Sequence, residues 1–419
     1  MGIFNFLFNK KKEQNIDYQE ITDYCWSFFR EGLLKENPKV RREIEEALLL
    51  IDTPQGKRFF SAGLQEPDLD NKVFCLKNIY KRGGWRLAEN LLNIAFSEET
   101  DINMSLDIIS FMAEFADSSI IDFLIDKDIL IRNELKIPIF LCLISSRSKE
   151  AINLLEKSIN NESELEKILY GLMLYQFDLP DGRKILDTFF IDKINTEYFK
   201  FLKYLEFNKS KFYFEKNLDK SKEIQLIIID NIKDNRGTEL IKTFLKSNDK
   251  EVLIKSIKKI IEIGSKRLSE NIDSINVEDQ ELNKYKTICK AYFGDKEAIN
   301  KLLCKVNKNN ISDENILEIL GYLSDLQEND ISNYLNDFLT EKYESFLNNK
   351  IDLLLLKKII KLLIKNGKIS SIPILRKYVN KDFLDSNNLY SISSLSAAAI
   401  LCIIEKNTSY ILKKNVKNY

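Results

Sequence analysis

The chain contains no histidine in 419 residues. That removes histidine acid–base catalysis, Ser-His and Cys-His activation of a nucleophile, and every histidine metal ligand. Carboxylate and lysine chemistry remain open. Glycine (13) and proline (6) are scarce, so the Ile-, Leu-, Lys-, Glu- and Asn-rich remainder reads as helices joined by short connections. The six cysteines are Cys25, Cys75, Cys142, Cys289, Cys304 and Cys402, and the closest two stand 15 residues apart. No CxxC spacing exists. Each has an apolar neighbour, so they read as buried thiols acting as small hydrophobes, in a chain long enough to need no disulfide. Nucleotide, zinc-protease and hydrolase signatures are missing too: there is no Gly-x-Gly-x-x-Gly, Walker-type loop, His-Glu-x-x-His or Gly-x-Ser-x-Gly. No cofactor, metal or small-molecule substrate is expected. No secretory signal is expected either, because the first apolar run precedes its lysines instead of following them. The best uncharged stretch, 389–404, has 16 residues with four serines, short of the roughly 20 mainly apolar residues of a membrane span.

What is present is an ordinary apolar fraction, 44%, with clear helix punctuation. Asn37-Pro38 and Thr53-Pro54 each place an N-cap residue before proline at the first helical position. Val40, Ile44, Ala47 and Leu48 then recur at helical spacing. Residues 16–35 read as an aromatic-rich helix (Tyr18, Tyr24, Trp26, Phe28, Phe29). Its rings suit the core side of a terminal cap better than a ligand platform.

From about residue 70 the helices come in pairs. The turns at Gly84, Ser118, Lys149 and Gly182 are separated by 34, 31 and 33 residues, and those at Arg236, Ser265, Asp295 and Glu328 by 29, 30 and 33. A period near 30 indicates a repeat architecture, in which neighbouring pairs bury each other's apolar faces. Gly294-Asp295-Lys296-Glu297-Ala298-Ile299-Asn300-Lys301-Leu302-Leu303 is its clearest copy: a glycine closes one helix and an Ile-x-x-Leu face opens the next. Ala151-Ile152-Asn153-Leu154-Leu155 and Ser371-Ile372-Pro373-Ile374-Leu375 align with it. These units resemble the HEAT-repeat family, particularly its short bacterial form. Pro138, in Leu135-Lys136-Ile137-Pro138, is similar to the proline that bends the first helix of such a repeat. The resemblance spans roughly residues 70–405. It implies an all-α α-solenoid, a right-handed superhelix of antiparallel helix pairs whose concave surface holds another macromolecule. The expected organisation is a tail at 1–15, a helical cap at 16–70 and a repeat solenoid at 71–419, with about nine to eleven pairs.

Few residues carry a chemical signal. Gly83-Gly84 before Trp85 reads as a helix C-cap in preference to an anion site. Glu114 and Asp230 sit inside apolar runs, where a buried catalytic carboxylate is conceivable. Helical spacing puts either on a solvent face just as well, and neither has a recognisable partner. Charge says more. Residues 350–419 carry 13 Lys/Arg against 4 Asp/Glu, the other 349 carry 50 against 60, and 96–130 alone carry nine acids against one lysine. In a stacked rod these fields stay apart, because distance along the sequence is distance in space.

The expected function is a non-enzymatic cytoplasmic scaffold that binds a protein partner. A second reading is nucleic-acid binding through the basic residues Lys357, Lys358, Lys361, Lys365, Lys368, Arg376, Lys377 and Lys381. Lysine dominance argues against base or phosphate-fork recognition there. A third is contact with an anionic membrane surface through Ile3, Phe4, Phe6, Leu7 and Phe8, backed by Lys10, Lys11 and Lys12.

Overall fold

A computed structural model describes residues 18–115, 135–148, 163–275, 279–307, 330–348, 351–385 and 389–416, with a few positions between them. The described residues form helices and turns, with no strand among them. The chain divides into two compact units. Unit 1 joins Met1–Asn71 to Lys308–Tyr419, and unit 2 is the intervening Lys72–Asn307.

Unit 1 begins with α1 (Tyr18–Leu33), α2 (Pro38–Leu48) and α3 (Pro54–Ser61). Both proline-marked starts are where the sequence puts them. The Asn37 side chain accepts from the Lys39 amide at 3.0 Å, and Thr53 Oγ1 accepts from the Gly56 amide at 2.9 Å. Val40, Ile44, Ala47 and Leu48 are buried. So are Trp26, Phe28 and Phe29 of the aromatic helix, with Trp26 stacked on Phe59 at 5.1 Å. Arg41, also buried, donates to the Glu66 carboxylate at 2.6 and 2.8 Å and to the Lys35 and Glu36 carbonyls at 2.7 Å each. One guanidinium thus satisfies two carbonyls of the connection between α1 and α2 and a buried carboxylate together.

The next helices are α4 (Leu69–Lys81), α5 (Ala88–Ala95), α6 (Ile102–Phe115), α7 (Lys136–Ser146), α8 (Glu164–Gln176) and α9 (Pro180–Asp187). After them come α10 (Thr196–Phe199), α11 (Phe207–Lys216), α12 (Lys222–Asn231), α13 (Thr238–Phe244) and α14 (Lys250–Glu262). Unit 2 ends with α15 (Lys266–Ser269), α16 (Gln280–Tyr292) and α17 (Lys296–Asn307). Within it α6, α7 and α8 pack in succession, and so do α10, α12, α14 and α16, while α9, α13 and α17 lie against α8, α14 and α16.

Three side-chain bonds in unit 2 span similar distances along the chain. Cys142 Sγ donates to the Ile109 carbonyl, 33 residues back. Lys136 pairs with Glu166, 30 on. Lys209 reaches the Tyr175 carbonyl, 34 back, at 3.0 Å. These spans are close to the spacing of the turns read from the sequence. Gly294 makes one of those turns, at φ 92°: its amide donates to Ala291 O, that of Asp295 to Lys290 O, and the Asp295 side chain then caps α17 through the Ala298 amide at 3.0 Å.

Two segments depart from the expected pairs. Helix α10 runs straight into a 3₁₀ turn (Lys200–Tyr204) that gives way to extended backbone at Leu205, and α11 starts at Phe207. A π turn at Thr188–Asp192 follows α9 and buries both Phe189 and Phe190. Phe190 lies 5.7 Å from the Phe199 ring and 5.4 Å from Tyr213. Side-chain bulk in this aromatic cluster overrides the regular helix pattern.

Unit 1 resumes with α18 (Asp330–Leu347), α19 (Leu353–Asn366), α20 (Ile372–Tyr378) and α21 (Leu389–Val416). Helix α21 packs against α1, α2, α19 and α20, and residues 391–401 are all buried. Among the described residues it alone is long and apolar enough, over Leu389–Asn407, to cross a membrane, and most of that stretch is buried inside unit 1. Two of its serines are satisfied by carbonyls: Ser393 Oγ donates to Tyr378 O at 2.6 Å and Ser394 Oγ to Tyr390 O at 2.7 Å.

A candidate binding cleft in unit 2

Unit 2 holds a cleft of about 800 Å³. It lies where helices end. The last residues of α6 (Ala113, Glu114, Phe115), α7 (Ser145, Ser146, Arg147) and α12 (Asp230, Asn231) line it, together with Lys203 and Tyr204 of the 3₁₀ turn. Leu205, Phe207, Ser210 and the loop bearing Lys233, Asp234 and Arg236 complete the wall.

Three helix C-termini carry partial negative charge, which draws cations. Arg147, Lys203, Lys233 and Arg236 supply them. Two ion pairs join segments far apart in sequence: Lys203 lies 3.5 Å from Glu114, and Arg147 lies 3.0 Å from Glu206. Arg236 forms a fork with Asp234, at 2.7 Å in its shortest contact. This pairing lowers the Asp234 pKa and raises that of Arg236. Lys255 holds Asp230 at 2.6 Å. Burial pushes the Tyr204 phenol above its ordinary pKa. Arg147 ends α7 with φ 55°, a left-handed conformation that glycine usually fills.

Glu114 and Asp230, singled out in the sequence as isolated acids, thus line one cleft. Their side chains are 55% and 58% exposed and each faces a lysine, which makes them surface ion-pair members on the solvent faces of their helices. Ser146 and Ser210 turn their hydroxyls to the carbonyls of Leu143 and Phe207. Among the described residues no group of three Cys, Asp or Glu side chains is placed to hold a metal ion. Cys25, Cys75, Cys142 and Cys289 are buried and in no disulfide, and Cys402 is half-buried. Burial pushes Cys25 and Cys289 up to about 12. What the cleft offers is charge of both signs beside three aromatic rings.

The basic residues of 350–419 belong to unit 1, and the expectation that they lie far from the first residues fails there. Lys357 pairs with Glu43 at 2.6 Å, and Lys381 pairs with Glu31 while also donating to Ser27. Arg376 covers the Tyr24 ring at 3.8 Å. The physical reason is α21, which buries its apolar surface against α1 and α2 and carries its neighbours with it. Lys358, Lys361, Lys365, Lys368 and Lys377 remain exposed. The expected membrane-contact residues, Ile3 to Lys12, lie outside the described residues.

Arg147, Lys203, Glu206, Lys233 and Arg236 escape a motif search, since each is a common polar residue near a helix end. Their signal is positional: charged residues just beyond helix ends and in the turns between helices. Comparison of the sequence with protein-family models finds no match, and comparison with curated proteins finds none.

Proposed function

We propose that the protein is a non-enzymatic cytoplasmic binding module, in which HEAT-like helix pairs of unit 2 stack as a right-handed α-solenoid and a protein partner occupies the cleft. The observation that carries this reading is the cleft itself, assembled from the ends of α6, α7 and α12 and from the turn at 200–204. A surface built from several repeats, each giving a few side chains, is how repeat proteins hold extended partners. The recurring offsets of 30, 33 and 34 residues in its side-chain bonds support the stacked arrangement. Nucleic-acid binding through the basic residues draws less support, because Lys357, Arg376 and Lys381 are engaged with Glu43, Tyr24 and Glu31.

Affinity capture from a native cell extract tests the reading, using wild type, an Arg147→Glu/Lys203→Glu cleft variant and a Lys358→Glu/Lys361→Glu variant. A protein captured by wild type and by the second variant, and lost from the first, is the expected result. Loss confined to the second variant, or recovery of nucleic acid in place of protein, overturns it.

A further inference from the structure

The charges of the cleft narrow its occupant. Four cations line it (Arg147, Lys203, Lys233, Arg236), and so do three acids (Glu114, Asp230, Asp234). A ligand of one sign throughout meets as much repulsion as attraction. That disfavours a nucleic-acid strand, an anionic lipid surface and a run of basic residues alike. The two signs also stand side by side: Glu114 faces Lys203, and Arg147 faces Glu206.

Those two pairs are exposed. The side chains are 55% and 39% accessible for Glu114 and Lys203, and 45% and 56% for Glu206 and Arg147. Exposed pairs of this kind are worth little. A ligand that brings its own acid and its own base can exchange with both partners and leave no charge unmatched. Lys233 has no carboxylate partner among the described residues and provides a first contact for an acid. Phe115, Tyr204 and Phe207 add apolar surface. Each of these rings already has a cation near its face: Lys81 at 5.3 Å, Lys203 at 4.9 Å and Arg236 at 5.6 Å.

We propose that the cleft of unit 2 takes an extended polypeptide segment carrying both acidic and basic side chains around an apolar centre, which displaces the Glu114–Lys203 and Arg147–Glu206 pairs as it binds. This rests on the binding-module reading above and adds the partner's chemistry to it.

The test probes an array of random 12-residue peptides with the full-length protein, alongside poly-glutamate, poly-lysine and a single-stranded oligonucleotide. Wild type is expected to select peptides with acids and bases flanking aliphatic or aromatic residues, and to bind the three uniform polymers at least tenfold more weakly. Arg147→Glu should weaken the selected peptides about tenfold. The charge-swapped Arg147→Glu/Glu206→Arg variant keeps an ion pair at that position but inverts its field. It is expected to select peptides of altered charge order and not to regain the original ones. Recovery of the original peptides by the swap would show that the pair is only structural and overturn the proposal. Equal binding of a uniform polymer, or selection indifferent to both variants, overturns it too while leaving a binding module elsewhere on the chain. Failure of wild type to select any peptide overturns this proposal and the binding-module reading together.

Discussion

In unit 2, three side-chain bonds between helices join residues 30, 33 and 34 positions apart. In unit 1, Lys357 reaches Glu43 across 314 positions, and Lys381 reaches Glu31 across 350. The contrast follows from where apolar surface is buried. Each helix of unit 2 finds cover from elements close to it in sequence, so a local period is enough to build it. Unit 1 is arranged around α21, whose cover comes from α19 and α20 nearby and from α1 and α2 far away. The first arrangement predicts damage that spreads to neighbours; the second predicts loss of both sequence segments at once.

The largest expected effect breaks unit 1 at its centre. Ala398 is fully buried in α21. Ala398→Asp places an unpaired carboxylate there and should cost more than roughly 4 kcal/mol. Hydrogen exchange should then show amides in 18–61 and 330–416 losing protection together while those in 72–307 keep theirs. Loss restricted to 389–416 would remove the claim that the two segments form one cooperative unit.

Next comes the core of unit 2. Leu302 in α17 is fully buried, and Leu302→Ala should destabilise unit 2 by about 2–5 kcal/mol in denaturant unfolding. A shift near zero would mean that the core face of this repeat has been misread.

A smaller effect compares the units through two buried tyrosines. Tyr213 in unit 2 donates to Asp187 at 3.1 Å, and Tyr378 in unit 1 donates to the Leu339 carbonyl at 2.7 Å. Burial raises both phenol pKa values, and for Tyr213 the Asp187 charge raises it further. The folded state therefore holds these protons above the ordinary tyrosine range near 10, while the unfolded chain gives them up. Their contribution is complete below about pH 10 and declines as the pH climbs beyond it. Tyr213→Phe and Tyr378→Phe should each cost about 1 kcal/mol at neutral pH and flatten the alkaline loss of stability. An unchanged alkaline slope in both would contradict the assignment.

The smallest effect is at the surface of unit 1. A double-mutant cycle on Lys357 and Glu43 should return a coupling of about 0–1 kcal/mol, since both side chains keep partial contact with water. A coupling of several kcal/mol would make this pair, and not α21, the join between the two segments.

These comparisons also show what was legible in the sequence. Helix starts at Asn37-Pro38 and Thr53-Pro54, and the turn at Gly294-Asp295, are local decisions, so a few residues betray them. The 30-residue period is likewise written in neighbouring turns. The packing of α21 on α1 and α2 is not, because a contact made once across 350 residues leaves no periodicity to detect. Its apolar run with four serines shows only that some surface must be buried. The cleft is intermediate. Glu114 and Asp230 stand out within apolar runs, but Lys203 and Lys255, which face them, belong to other helices and turns and look like any solvated lysine.

The most direct measurement is hydrogen exchange on the wild-type protein with and without the tightest-binding peptide of the array. The account predicts slowed exchange at 113–115, 145–147, 203–210 and 230–236, with no change along 353–378. Protection of 353–378 with the cleft segments unchanged would contradict it and move the binding surface to the exposed lysines of unit 1.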